Sequence, residues 1–135
     1  MKWTIYSDGG ARGNPGIAGG GVVIQRDGLA IKEIAKKFGK KTNNQAEYLA
    51  LLTGISWLLE QERDDSDKYE FFLDSELVVR QLNGQYRVKD AGLKELYLQV
   101  VEGIGKLGKE VNIGHVRREI NQEADRLANL AMDEQ

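Results

Sequence analysis

Apolar and polar residues change their spacing several times along the chain, and each change marks a different element. Lys2-Trp3-Thr4-Ile5-Tyr6-Ser7 is rich in strand-forming residues and stops at Asp8-Gly9-Gly10, a run of turn-formers, so it reads as a strand followed by a turn. Gly20 to Gln25, centred on Val22, Val23 and Ile24, predicts a second strand. Asp27-Gly28 follows it, and this dipeptide suits a two-residue hairpin whose central residues both need positive φ. Leu29 to Phe38 carries two patterns: Ile31, Ile34, Ala35 and Phe38 keep helical spacing, whereas the hairpin demands a returning strand. The strand is the reading adopted.

Asn43 to Glu60 predicts a helix that opens on capping-type residues, lacks proline and carries Leu49, Leu51, Leu52, Ile55, Trp57, Leu58 and Leu59. These fall on almost every side of it, so it should pack on more than one face. Beyond an acidic stretch through Asp67, Tyr69 to Leu73 predicts a strand. Asp74 and Ser75 can cap a short helix from Glu76 to Leu82. Leu93 to Leu107 predicts a longer helix, Val111 to Gly114 a strand, and Asn121 to Met132 a last helix. A hairpin-rich start followed by alternating strands and helices implies an α/β fold, a mixed sheet covered by helices.

Composition narrows the function classes. At 135 residues and 41% hydrophobic content the chain is one domain, 1–135, with a core of its own. The absence of cysteine excludes disulfides and thiolate metal sites. No run approaches the roughly 18 apolar residues of a membrane span, and Met1-Lys2-Trp3-Thr4 lacks a signal-peptide layout, so a soluble, cytoplasmic protein is expected. A net charge of −2 argues against gripping nucleic acid by bulk positive charge. Basic residues are nevertheless clustered, at Lys32, Lys36, Lys37, Lys40 and Lys41 and at Arg117-Arg118; each run, read alone, is a solvated face.

The carboxylates carry more. Asp8 and Asp74 each follow an apolar strand directly, so parallel strands would bring both out at one sheet edge, where open α/β sheets bind ligands. Alone, Asp8 is an ordinary turn residue and Asp74 an ordinary cap. Glu47 is harder to explain that way, because its helical neighbours Leu51, Gly54 and Leu58 make an apolar stripe. A carboxylate there must be paired, hydrogen-bonded or bound to a cation. Asp125 lies early in the last helix, where an acid can simply favour the helix dipole. With one histidine, His115, and no cysteine, any metal site must be built from oxygen ligands, which suits Mg²⁺ or Mn²⁺ and disfavours Zn²⁺.

Tyr6 to Gly16 (YSDGGARGNPG), Thr42 to Glu47 (TNNQAE), Leu73 to Glu76 (LDSE) and His115 through Asn121 to Ala124-Asp125 together resemble type 1 ribonuclease H, in order and spacing, over essentially the whole chain. The resemblance implies a five-stranded mixed sheet of order 3-2-1-4-5 flanked by helices. It implies metal-binding carboxylates at Asp8, Glu47, Asp74 and Asp125, with Asp8 bridging two ions, and a catalytic-loop histidine at His115. It further implies cleavage of the RNA strand of RNA–DNA hybrids to 5′-phosphate and 3′-hydroxyl ends, with two Mg²⁺ or Mn²⁺ ions. Gly10, Asn14, Asn43, Asn44 and Gln45 would lie along the hybrid groove, and Lys40 and Thr42 would grip a DNA-strand phosphate. Gly9-Gly10 and Gly13 would allow close approach of the backbone to the substrate. The family's basic helical insertion is missing, since only Gln81 to Asp90 separates the two middle helices, and Glu76 replaces a substrate-contacting glutamine found in some members. Cleavage of double-stranded RNA is therefore an alternative activity, and a non-catalytic nucleic-acid-binding module is the rival of another class. A monomer is the expected state.

Overall fold

The Asp27-Gly28 turn anchors the hairpin half of the sheet. A computed structural model describes residues 1–135, and both turn residues have positive φ, 50° at Asp27 and 84° at Gly28. On either side run β2 (Gly16–Arg26) and β3 (Leu29–Lys41), so the Leu29 segment is a strand as the hairpin requires. The first strand, β1 (Lys2–Gly13), is antiparallel to β2. Then come α1 (Asn43–Leu59), β4 (Lys68–Leu73), α2 (Glu76–Leu82), α3 (Ala91–Leu107), β5 (Val111–His115), a single 3₁₀ turn at Arg118–Ile120, and α4 (Gln122–Asp133). The sheet order is β3-β2-β1-β4-β5, with β4 parallel to both β1 and β5. No helix is long and apolar enough to cross a membrane.

Packing explains why α1 is apolar almost all round. One side covers β1 and β2, and α3 lies on another, so Tyr48, Leu51, Ile55 and Leu58 are buried with Ile5, Val22, Ile24, Phe71 and Leu73 of the sheet. The helix opens on a capping box: the Thr42 hydroxyl accepts from the Gln45 amide, and the Gln45 side chain accepts from the Thr42 amide. Thr42 is thus the cap, and Asn43 and Asn44 are already inside the helix.

β1 departs from the sequence reading. The expected turn at Asp8-Gly9-Gly10 is continuous strand, in register with Gly21, Gly20 and Gly19 of β2. These glycines serve close packing of helices on the two faces of the sheet. A methyl group at Gly9 would overlap the Ala46 carbonyl and lie 2.6 Å from the Glu47 nitrogen of α1. One at Gly21 would overlap the Ala124 carbonyl and lie 2.7 Å from the Ala128 nitrogen of α4.

Candidate active site

The two ladders of β1 end at different heights. The parallel ladder with β4 stops at the Ser7–Leu73 pair, while the antiparallel ladder with β2 continues to Gly13–Gly16. A cleft opens where β4 has ended. Asp8 and Asp74 are the residues that follow this last pair, so they stand at the same level: Asp74 has left β4, while Asp8 stays paired with Gly21 of β2. Ser75, rather than Asp74, caps α2 through its hydroxyl at 3.3 Å from the Val78 nitrogen, which leaves the Asp74 carboxylate facing the cleft.

The helices supply the other two acids. Glu47 arrives because α1 sits directly on Gly9, and Asp125 arrives because α4 sits directly on Gly21. Asp8, Glu47 and Asp74 each offer a carboxylate oxygen, and these atoms lie within 4.8 Å of one another. Asp125 stands outside that trio but beside Asp8, close enough for its charge and a hydrogen bond to act on it. The cleft has a volume of about 450 Å³, and Gly10, Asn43, Asn44, Ser75 and Arg118 share its walls with the acids.

Such crowding disfavours charge. Burial, followed by the charge of Asp74 and then the hydrogen bond and charge of Asp125, pushes the Asp8 carboxyl up to about 8 from an ordinary 3.8. Glu47 is raised as well, first by burial and then by Asp8 and Asp74, with the Gly9 amide pulling the other way. Glu47 Oε2 is buried without a hydrogen-bond partner. An unpaired buried carboxylate oxygen inside an all-oxygen donor set fits a hard divalent cation, which would supply the missing charge and coordination.

Other expected site residues are placed as follows. His115 is the final residue of β5, exposed and paired in register with Leu73, instead of lying on a loop after the strand. It belongs to the ladder because β5 runs one residue further than its apolar pattern suggests. Asn14 and Asn43 form a chain: Asn14 Oδ1 accepts from the Asn43 amide at 3.0 Å, and Asn43 Oδ1 accepts from the Ala11 amide at 2.9 Å. Lys40 is exposed near the end of β3, opposite Ile17. Thr42 and Gln45 use their side-chain oxygens in the capping box. Gly9 is buried against α1, so the space it leaves admits the protein's own helix instead of a substrate; Gly13, with φ 103°, serves the β1–β2 turn.

One residue beside the acids was given no role by the sequence. Asn121 is 1% exposed, and its amide nitrogen donates to the Ser7 carbonyl at 2.9 Å and to Asp74 Oδ2 at 3.3 Å. In sequence Asn121 stands only as the opening residue of the last helix and as part of the His115-to-Asp125 motif; in the structure it precedes α4, and its side chain makes no capping bond.

Comparison with known proteins agrees with this geometry. Residues 6–131 match a family model described as reverse transcriptase-like. A ribonuclease H1 isolated from compost has a TM-score of 0.93 and 41% identity over 98% of this chain and 96% of its own. The chain belongs to the type 1 ribonuclease H family. The compost family member in complex with an RNA/DNA hybrid matches with a TM-score of 0.91, 40% identity, and 98% and 97% coverage. The ribonuclease H1 of Halobacterium salinarum matches at 0.92 and 35% identity over the full length of both chains. Among curated relatives, a bifunctional protein of Mycobacterium tuberculosis is 38% identical over 135 residues, 98% of this chain. The chain spans only 36% of that relative's length.

Proposed function

We propose that the chain is an endonuclease that hydrolyses the RNA strand of RNA–DNA hybrids, leaving 5′-phosphate and 3′-hydroxyl ends, and that it works as a cytoplasmic monomer. Asp8, Glu47, Asp74 and Asp125 would hold two divalent cations, Mg²⁺ or Mn²⁺. The observation that carries this reading is the convergence of acids from β1, α1, the end of β4 and α4, with the trio's oxygens within 4.8 Å and Glu47 Oε2 unpartnered. A solved family member bound to an RNA/DNA hybrid supports the substrate class.

When bound, a pair of cations activates water, neutralises charge at phosphorus and stabilises the departing oxygen. The protein's part is arrangement. Asp8 lies between Asp74 and Asp125 in its interactions, so it is the residue suited to face both ions. Glu47 and Asp74 would hold a cation on one side of Asp8, and Asp125 would help hold one on the other. His115, at the end of β5, is the group assigned to proton transfer or product release.

Substrate discrimination would come from the amide row beside the acids. The oxygens of Asn14, Asn43 and Gln45 are occupied by backbone N–H groups, so their amide NH₂ groups are left as donors. Donors of that kind match ribose 2′-hydroxyls and base acceptors in a wide, shallow minor groove, and Asn43 lines the cleft together with Asn44 and Gly10. Lys40 and Thr42 would hold a phosphate of the DNA strand, giving affinity that falls with salt.

A strand-labelled assay tests the proposal, comparing RNA–DNA hybrid, duplex RNA and duplex DNA with Mg²⁺, with Mn²⁺ and with EDTA. Metal-dependent cutting of the RNA strand of the hybrid is expected. Binding without cutting would establish the non-catalytic module instead, and equal cutting of duplex RNA would widen the substrate class.

A further inference from the structure

Asn121 is a buried residue beside the acids to which the proposed chemistry gives no part. Its NH₂ group meets two acceptors, the Ser7 carbonyl and Asp74 Oδ2. A carbonyl and a carboxylate can only accept, so the amide must face them with its nitrogen, and its orientation is set by its neighbours. Its backbone carbonyl accepts from the Asp125 amide at 3.0 Å, which closes the first turn of α4. A single residue therefore touches the strand segment leading into Asp8, the carboxylate of Asp74 and the helix turn that bears Asp125.

The remaining atom of the side chain points to the reason for an amide. Asn121 Oδ1 is buried with no hydrogen-bond partner. An unsatisfied buried oxygen is unfavourable, and an apolar side chain of similar shape would avoid it. What such a side chain could not do is donate to the Ser7 carbonyl and to Asp74 together. Occupying Oδ2 of Asp74 also leaves Oδ1 as that carboxylate's free oxygen.

We propose that Asn121 is a positioning residue for the cation site, holding Asp74 by Oδ2 so that Oδ1 is presented to the metal, while tying β1 to the start of α4. This rests on the reading of Asp74 as a metal ligand. Groups that orient metal-binding carboxylates alter metal affinity by roughly 10–100-fold when removed.

Calorimetric titration of Mn²⁺ into the whole chain tests this with four proteins: wild type, Asn121→Ala, Asp74→Asn and the double variant. Asn121→Ala should weaken Mn²⁺ binding at least tenfold, and it should add nothing in the Asp74→Asn background, because its action passes through Asp74. The Mg²⁺ concentration giving half-maximal hybrid cleavage should rise in parallel, with most of the rate recovered at saturating Mg²⁺. Unchanged Mn²⁺ affinity in Asn121→Ala, or a loss that simply adds to that of Asp74→Asn, would overturn the proposal and leave Asn121 as a structural bolt. If Asn121→Ala does not fold, Asn121→Ser, titrated below its own melting transition, is judged by the same two outcomes. A wild-type chain that binds Mn²⁺ but leaves every nucleic acid intact would overturn the nuclease assignment and not this one.

Discussion

Gly9 of β1 lies against the backbone of Ala46 in α1, so closely that a single methyl group on Gly9 would occupy the place of the Ala46 carbonyl. The contact seats α1 on the strand and, one residue along each chain, brings Glu47 to Asp8. Neither partner is a flexible side chain, so neither can yield without moving a whole element. Gly9→Ala should therefore destabilise the fold by about 1–3 kcal/mol, the usual scale of overpacking, and abolish cleavage in the fraction that still folds. Urea denaturation paired with the hybrid assay reads both effects; an unchanged midpoint would refute the contact.

The crowded acids predict how stability depends on pH. Asp8 is raised in the folded protein from 3.8 to about 8, so without metal the folded state binds this proton more tightly than the unfolded chain. The associated stability is present below about pH 4 and is lost as pH rises through about 8. In EDTA, the wild-type urea midpoint should fall across that window relative to Asp8→Asn, which lacks the titrating group. Mg²⁺ should restore it, and most strongly at the alkaline end. Parallel pH curves for the two proteins in EDTA would show that Asp8 titrates normally.

His115 is exposed at the end of β5 and supports little packing. Its replacement by Ala should leave the melting temperature within a degree or two and slow turnover by roughly 10²-fold, the scale of general acid–base groups. An unchanged kcat at saturating Mg²⁺ would return His115 to a structural role.

Asn43 separates folding from recognition. Its Oδ1 holds the Ala11 amide, and its NH₂ is left as a donor to the groove. Asn43→Asp keeps the acceptor, and an acid at the start of a helix suits its dipole. Stability should be equal or slightly higher, whereas hybrid affinity should drop at least tenfold, because the donor to base acceptors and 2′-hydroxyls has become a charged acceptor beside a polyanion. Affinity measured by fluorescence anisotropy in Ca²⁺ would check this, and wild-type affinity would remove Asn43 from the recognition surface.

Local chemistry was legible along the chain. Asp27-Gly28 announced its hairpin, the run from Glu76 to Leu82 announced its helix, and Glu47 announced itself as an acid on an apolar stripe. Each of these signals comes from interactions within a few residues. Tertiary structure decided the rest, because the reasons lie far away in the chain. Asp8-Gly9-Gly10 looks like a turn, yet it is strand, since Gly9 and Gly21 are required by helices that begin 34 and 101 residues further on, at Asn43 and Gln122. Asn121 has partners 114 and 47 residues away, so the motif from His115 to Asp125 marked the residue but not what it holds. Sequence alone thus determined which residues could do the chemistry; the close seating of α1 and α4 on opposite faces of the sheet decided which of them meet, because only backbone-to-backbone contact brings acids from opposite faces to the end of one strand.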